Sequence, residues 1–422
     1  MLPDTLHSPQ NIAATSTADG MTLAERQRIA AERFAVSGWP DRRQEAWKYT
    51  SLSSLEALAP TPAESLTATT GFLPDGHHLV FINGHHQPAH DGSLPQGVRI
   101  TSLEERPDLA MLLDDPAIAE HPVRHRTLSG LGSVIVLEVE AGTDVSAPLH
   151  LVFDNIGNGL SSHPLVLISL GEAASLQLAE SHYGTDKGLS APLMLIQLEE
   201  KARLDHVRLQ QEGMERHHLG LGLVILGSRS GYHGWALQSG GALSRMEQHM
   251  RMAGEDAEAH LTAIYLCRDN QISDVTTGVY HDVPSCHSMQ TVRGVLDDQA
   301  RGVFQGKVRV ARDAQHTDGN QMSRALLLSR KCEADAKPEL EIYADDVTCS
   351  HGATVGELDD DQLFYLLSRG IPLDKARQML IEAFLGEVLD DLESETVREM
   401  LAPVLSNWLA ANRGEEKQGH DA

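Results

Sequence analysis

Four cysteines in 422 residues, none in a CxxC pair, are too few and too scattered to brace a chain of this length with disulfides. Reduced thiols are expected. Aromatic residues are scarce, at 4% of the chain, which leaves little surface for stacking sugars. Cations are outnumbered, 34 Lys and Arg against 60 Asp and Glu, and a net charge of -26 opposes docking on a phosphate backbone or an anionic bilayer. No uncharged apolar run approaches the roughly 18 residues of a membrane span, and the first residues, MLPDTLHSPQNIAATSTADG, carry neither a basic n-region nor an apolar h-region. A soluble, cytoplasmic protein without nucleic-acid or membrane partners is expected. No phosphate loop, GxSxG or HExxH occurs, so the local signatures of nucleotide hydrolases, serine hydrolases and zincins are missing too.

What is present changes character along the chain, and the length allows two to four domains. Residues 1–125 read as a helical and mixed N-terminal region. Within it Thr22-Leu-Ala-Glu25 is a capping-box pattern, starting a helix that runs to about Phe34 before Gly38-Trp39-Pro40 stops it. The block Arg42 to Thr50 then concentrates Trp47, Tyr49 and several cations, the composition of an anchor that pins this helix to the next region.

From about His78 to Val355 short Val, Ile and Leu runs alternate with polar residues and are punctuated by Gly, Asp and Asn, as in HLVFINGH and PLVLISLGEAASLQLAE. This predicts a long all-β region with its core at 126–355. Ala174-Ser-Leu176 is echoed by Ala202-Arg-Leu204, and more loosely by Ala257 to Leu261 and Ala300 to Val303. Imperfect repetition at this spacing points to a solenoid or a propeller, and the scarcity of aromatics favours a right-handed parallel β-helix. Small residues at the turns let coils stack. Such a stack cannot close on itself, so its end strands need a cap or a partner.

Residues 356–422 return to helix. Leu358-Asp359-Asp360 caps a segment to Arg369, Gly370 suits the C′ position, and Pro372 opens a second helix. Apolar residues of that helix, among them Leu373, Met379, Leu380, Phe384 and Val388, cover about three quarters of its circumference. Either the following segment, Glu395 to Asn412, covers the surplus, or a second protein does.

Two soft donors stand out in Tyr343 to Glu357, YADDVTCSHGATVGE. Cys349 and His351 lie two residues apart in a β-branched stretch, so on a strand they project from one face. A zinc ion or an iron-sulfur cluster wants three or four protein ligands, and no further Cys or His follows at ligand spacing. The pair is half a metal site completed by a partner, or it is a buried thiol beside a hydrogen-bonded imidazole. Most of the 22 histidines read as satisfied core or surface residues, and Cys267, Cys286 and Cys332 as buried structural thiols.

Four segments carry a resemblance: WPDRRQEAWKYTSL (39–52), the run from Gly254 to Val310, HTDGNQMSRALLLS (316–329), and DDVTCSHGATVGELDDDQLFYLLSRGIP (345–372). On them the chain resembles the SufB/SufD family of iron-sulfur cluster assembly scaffolds, and within it the SufD branch, which is shorter than SufB and carries the WKYT block. The resemblance implies a mainly β fold, a right-handed parallel β-helix between helical ends. It implies a non-catalytic scaffold subunit of a cytoplasmic SufBCD complex, pairing with a SufB-like paralogue through the β-helix. A SufC-like ATPase would dock on the C-terminal helices, at Leu373, Met379, Leu380, Phe384 and Val388. It also implies that His351, with Cys349, shares transient iron or a nascent Fe-S cluster with the partner, no stable cofactor staying on the isolated chain.

Two other readings compete. One is a carbohydrate-active β-helix enzyme of the secreted type, with Asp297-Asp298 and Asp345-Asp346 as its paired acids. The other is a homodimeric scaffold, formed by the chain on its own, in which two half-sites meet.

Overall fold

The computed structural model describes residues 21–64, 76–389 and 395–411. Its centre is a parallel β-solenoid built from two sheets. Successive strands alternate between the sheets, so each pairs with the strand one full coil away: Arg203–Gln210 lies between Ser175–Tyr183 and Gly231–Gln238, in parallel register with both. The parallel part of the first sheet runs from Val134–Val139 to the edge strand Glu333–Ile342, and that of the second from His77–Ile82 to the edge strand Thr348–Glu357, with Val98–Thr101 and His85–His86 added antiparallel at the far ends.

A recurring corner sets the coil. Ala173, Lys201, Arg229, Asp256, Ser285 and His316 all take left-handed backbone angles, with φ between 55° and 61°. Each is followed by a small or short side chain that is fully buried, namely Ala174, Ala202, Ser230, Ala257, Cys286 and Thr317. The left-handed residue turns the chain sharply, and the small residue fits the crowded inner corner before the next strand begins. Leu176 and Leu204 therefore fall in register, as their sequence echo predicts. Small residues also serve in mid-strand: the buried ring of Tyr265 occupies the space beside Gly294 and Gly302, where a Cβ would lie 2.1 Å and 2.4 Å from ring atoms.

Three apolar clusters hold the molecule. One fills the interior between the two sheets, with Leu176, Leu204, Met250 and Phe304. A second lies outside the first sheet, under the N-terminal helices α1 (Leu23–Ser37), α2 (Ser53–Leu58) and α3 (Pro122–Ser129). Thr22 and Glu25 form the capping box of α1. The segment after it straps across the first sheet: the guanidinium of Arg245 lies 4.1 Å from the centre of the Trp47 ring, Ala46 O accepts from Arg245 Nη1 and Gln305 Nε2, and Lys337 on the edge strand reaches Glu45 at 2.7 Å.

The third cluster lies outside the second sheet. Helices α4 (Asp360–Ser368), α5 (Leu373–Leu389) and α6 (Glu395–Ala411) follow the last strand, α4 capped by Asp359. Ile381, Leu385 and Val388 of α5 meet Val397, Leu401 and Leu405 of α6 and Leu209, Ile264 and Val295 of the sheet. Thus α6 covers part of the apolar surface of α5, and Leu373 and Met379 stay exposed.

Strand does not extend through the whole of the span from His78 to Val355. Pro107–Asp114 is a 3-10 helix and Pro122–Ser129 is α3. A proline at the first helical turn suits both starts, and Leu109, Leu113, Val123 and Leu128 bury on one side. Residue 125 lies inside α3, and His77–Ile82, further upstream, is already paired with Asp144–Asp154.

Candidate metal half-site at the open end of the solenoid

Thr348–Glu357 is the outermost strand of the second sheet, with the strand Asp318–Leu327 on its one paired side. The amide of Thr348 donates inward to Thr317 O at 2.8 Å. Strand parity then directs the backbone groups of Cys349, His351, Ala353 and Val355 outward, to a side where no strand among the described residues pairs. On the first sheet Glu333 N donates inward to Ala300 O, so the outward positions of that edge include Pro338. Proline has no amide to offer there. Of the two edges at this end, that of Thr348–Glu357 keeps every outward donor, and that of Glu333–Ile342 is interrupted at Pro338.

The side chains of the same four residues share a face. Their partners in register are Gly319, Gln321, Ser323 and Ala325, all buried in the solenoid interior. Cys349 packs against the interior cluster and is half-buried, whereas His351 is exposed because no further coil among the described residues lies over it. Gly319, in register with Cys349, lies where a Cβ would meet Cys349 Sγ, Val308 Cγ1 and Ser288 Oγ at ordinary contact distances of 3.4, 3.4 and 3.5 Å. Ser288 Oγ is in turn 2.9 Å from Nε2 of the buried His281.

Burial pushes the Cys349 thiol above its ordinary pKa, the amide of Gly319 opposes this, and the Asp318 carboxylate adds to the rise. The thiol is therefore protonated near neutrality. It becomes a ligand only when a cation displaces its proton. Among the described residues no three His, Cys, Asp or Glu side chains are placed to hold a metal ion. Cys349 and His351 offer two soft donors of different kinds, thiol and imidazole, which suits iron and sulfide but leaves most of a coordination shell to come from elsewhere.

The other candidates fall apart spatially or turn inward. Asp297-Asp298 follow the strand His287–Leu296, while Asp345-Asp346 precede Thr348–Glu357, which puts the two acidic pairs at opposite ends of ten-residue strands, roughly 30 Å apart. They form no acid and base couple, and Asp346 is occupied by His316 at 3.0 Å. Cys267 and Cys286 are buried, their pKa values raised to about 12 and about 11 by desolvation. Cys332 departs from the expected burial: it is half-buried, beside the edge strand. Interior histidines such as His182 and His281 are held neutral by burial, both with pKa values lowered to about 4.

The docking residues expected on α5 divide. Val388 is buried and Phe384 packs against the third cluster, because α6 and the sheet already occupy that face, so neither belongs to an exposed surface. Leu373 and Met379 are exposed, and Leu380 lines an open groove with Tyr365 and Leu366 of α4. The expected docking set named no residue of α4, where Phe364 is 72% and Tyr365 56% exposed. The signal was the run LFYLL on so short a helix, more apolar surface than one face can bury.

Comparison with known proteins fits this geometry. The family model of the SUF system FeS cluster assembly, SufBD core domain, matches residues 153–384. An iron-sulfur cluster assembly SufBD family protein of Synechocystis sp. is 30% identical over 421 residues, covering 93% of each chain. The iron-sulfur cluster assembly protein SufD of Escherichia coli is 29% identical over 418 residues, 95% of this chain and 96% of its own. The chloroplastic protein ABCI7 of Arabidopsis thaliana is 27% identical, covering 93% of this chain and 87% of its own.

Proposed function

Because the chain belongs to the SufBD family of iron-sulfur cluster assembly proteins, we propose that it is a scaffold subunit of the SufD type, giving Cys349 and His351 to iron or a nascent cluster whose remaining ligands come from a SufB-like partner. The observation that carries this is the position of the pair: two soft donors on the outermost strand of an open-ended solenoid, along the edge that keeps its backbone donors. A partner strand laid on that edge brings its own side chains over the mouth. The cargo is then held between two chains and released when they separate.

Separation needs a lever, and the C-terminal helices provide one. A SufC-like ATPase docks on Leu373, Met379 and Leu380 together with Phe364 and Tyr365, and its nucleotide-driven dimerisation pulls α4 and α5. Because α5 is packed on the sheet that ends in Thr348–Glu357, the pull is felt at the mouth. A shift of a few kcal/mol is enough to open such an interface. We read the chain as cytoplasmic and non-catalytic, its chemistry limited to ligation and proton release. Among the described residues no helix is long and apolar enough to cross a membrane.

The test is reconstitution with a SufB-like partner, a SufC-like ATPase, iron and a sulfur source, comparing the native chain with His351→Ala and Cys349→Ala. The expected result is at least a tenfold loss of cluster formation for His351→Ala, with subunit assembly intact. Cluster formation at the native rate in both variants would remove the site.

A further inference from the structure

The interior beneath His351 carries polar groups for which the described residues supply no hydrogen bonds. One column of side chains, followed from coil to coil, reads Leu261, Gln290, Gln321, His351. It is apolar at Leu261 and turns polar on approaching the mouth. Gln290 is 0% and Gln321 2% exposed, and both amides have oxygen and nitrogen without a partner. The adjoining wall repeats the pattern: Thr277, buried with its hydroxyl unpartnered, is in register with Gly306, and a Cβ on Gly306 would lie 2.8 Å from Gln321 Oε1. The glycine keeps room for the amide. A solenoid interior gains nothing from such groups, since leucine at both positions would continue the apolar column without the cost of unsatisfied amides. They stand one coil beneath an exposed imidazole.

Resting on the reading of His351 as a ligand, we propose that Gln321, backed by Gln290, is the positioning residue that fixes its tautomer. A ring nitrogen that binds iron must carry no proton, so the inner nitrogen must carry it. Because neither amide has a direct partner among the described residues, Gln321 Oε1 accepts that inner N–H through one enclosed water, and its amide nitrogen faces Gln290 for a second water to bridge. The outer nitrogen then presents its lone pair at the mouth before any metal arrives. A histidine ligand is commonly oriented from behind in this way, and the loss of such a support costs roughly 10–100-fold in metal affinity.

The full chain, labelled with nitrogen-15 in histidine and free of metal, is examined by NMR, with His351→Ala identifying the ring signals. One dominant tautomer is expected in the native chain and a mixture in Gln321→Leu. The thermal midpoint of Gln321→Leu should be unchanged or higher, which a purely structural glutamine would not give. Gln321→Glu, which restores an acceptor, should recover the single tautomer. Should the leucine variant not fold, Gln321→Met is read in its place. A native mixture, or a tautomer indifferent to these replacements, overturns the proposal. Since no cargo is present, this result is separate from the fate of the ligand reading, which His351→Ala decides in the assembly reaction.

Discussion

The four cysteines differ in what surrounds each sulfur, and their chemistry should differ accordingly. Cys286 fills the inner corner taken by Ala174 and Ala202 in other coils, so its thiol is a small packing group. Cys349 sits at the mouth beside Gly319, and burial with the nearby Asp318 raises its pKa. A raised pKa means less thiolate at neutral pH than an ordinary cysteine shows, and a thiolate fraction that climbs about tenfold per pH unit until the shifted value is reached. Alkylation of the native, metal-free chain by iodoacetamide, followed by mass spectrometry between pH 7 and 9, should show Cys349 labelling more slowly than a free cysteine and accelerating throughout that window. Cys267 and Cys286, raised to about 12 and about 11, should stay unlabelled until the chain unfolds. Rapid labelling of Cys349 at pH 7 would contradict the neutral thiol from which proton release on metal binding was argued.

At the level of elements, α4 and α5 carry apolar residues with opposite fates, and substitutions should separate them. Replacing Phe364 and Tyr365 together by serine removes exposed side chains and should change stability by no more than about 0.5 kcal/mol, while abolishing capture of the ATPase subunit. Leu385→Ala empties a site between α6 and the sheet and should cost about 2–5 kcal/mol in urea unfolding. Retention of the ATPase by the double serine variant would place docking elsewhere. The same two helices show how far the sequence could be read. The caps Thr22 and Asp359, the stop at Gly370 and the echo of Leu176 in Leu204 were legible because each follows from local backbone chemistry. Strand parity in TCSHGATV put Cys349 and His351 on one face for the same reason. Which side of α5 is covered was not legible, because Val207, Leu209 and Ile264 that help to cover it come from coils more than a hundred residues earlier. Gln290 and Gln321 were equally silent: their meaning depends on a register between coils that single-chain patterning does not reveal.

For the whole molecule the decisive asymmetry is between its two terminal edges. A solenoid whose last coil is uncovered invites further pairing, and natural sheets usually blunt such edges with proline, lysine or irregular backbone. Glu333–Ile342 follows this rule, with Pro338 at an outward position and Lys337 and Glu339 flanking it. Thr348–Glu357 does not: Cys349, His351, Ala353 and Val355 direct their amides outward, and nothing among the described residues receives them. The unblunted edge is also the one bearing the two soft donors, so pairing and ligation are expected to be a single event. Ala353→Pro separates the two. It removes one outward donor, leaves the inward ladder intact because that residue's amide does not face Asp318–Leu327, and touches neither Cys349 nor His351. The variant should keep most of its stability, losing about 1–2 kcal/mol for the altered strand geometry. Analytical ultracentrifugation should nevertheless show weaker association, at least tenfold, both in any homodimer of the chain alone and with a SufB-like partner. Iron loading of the mixed complex should fall in parallel. If association were lost while loading persisted, the donors would be working without a second chain across the mouth; if association were untouched, the partner would have to engage a surface other than this edge.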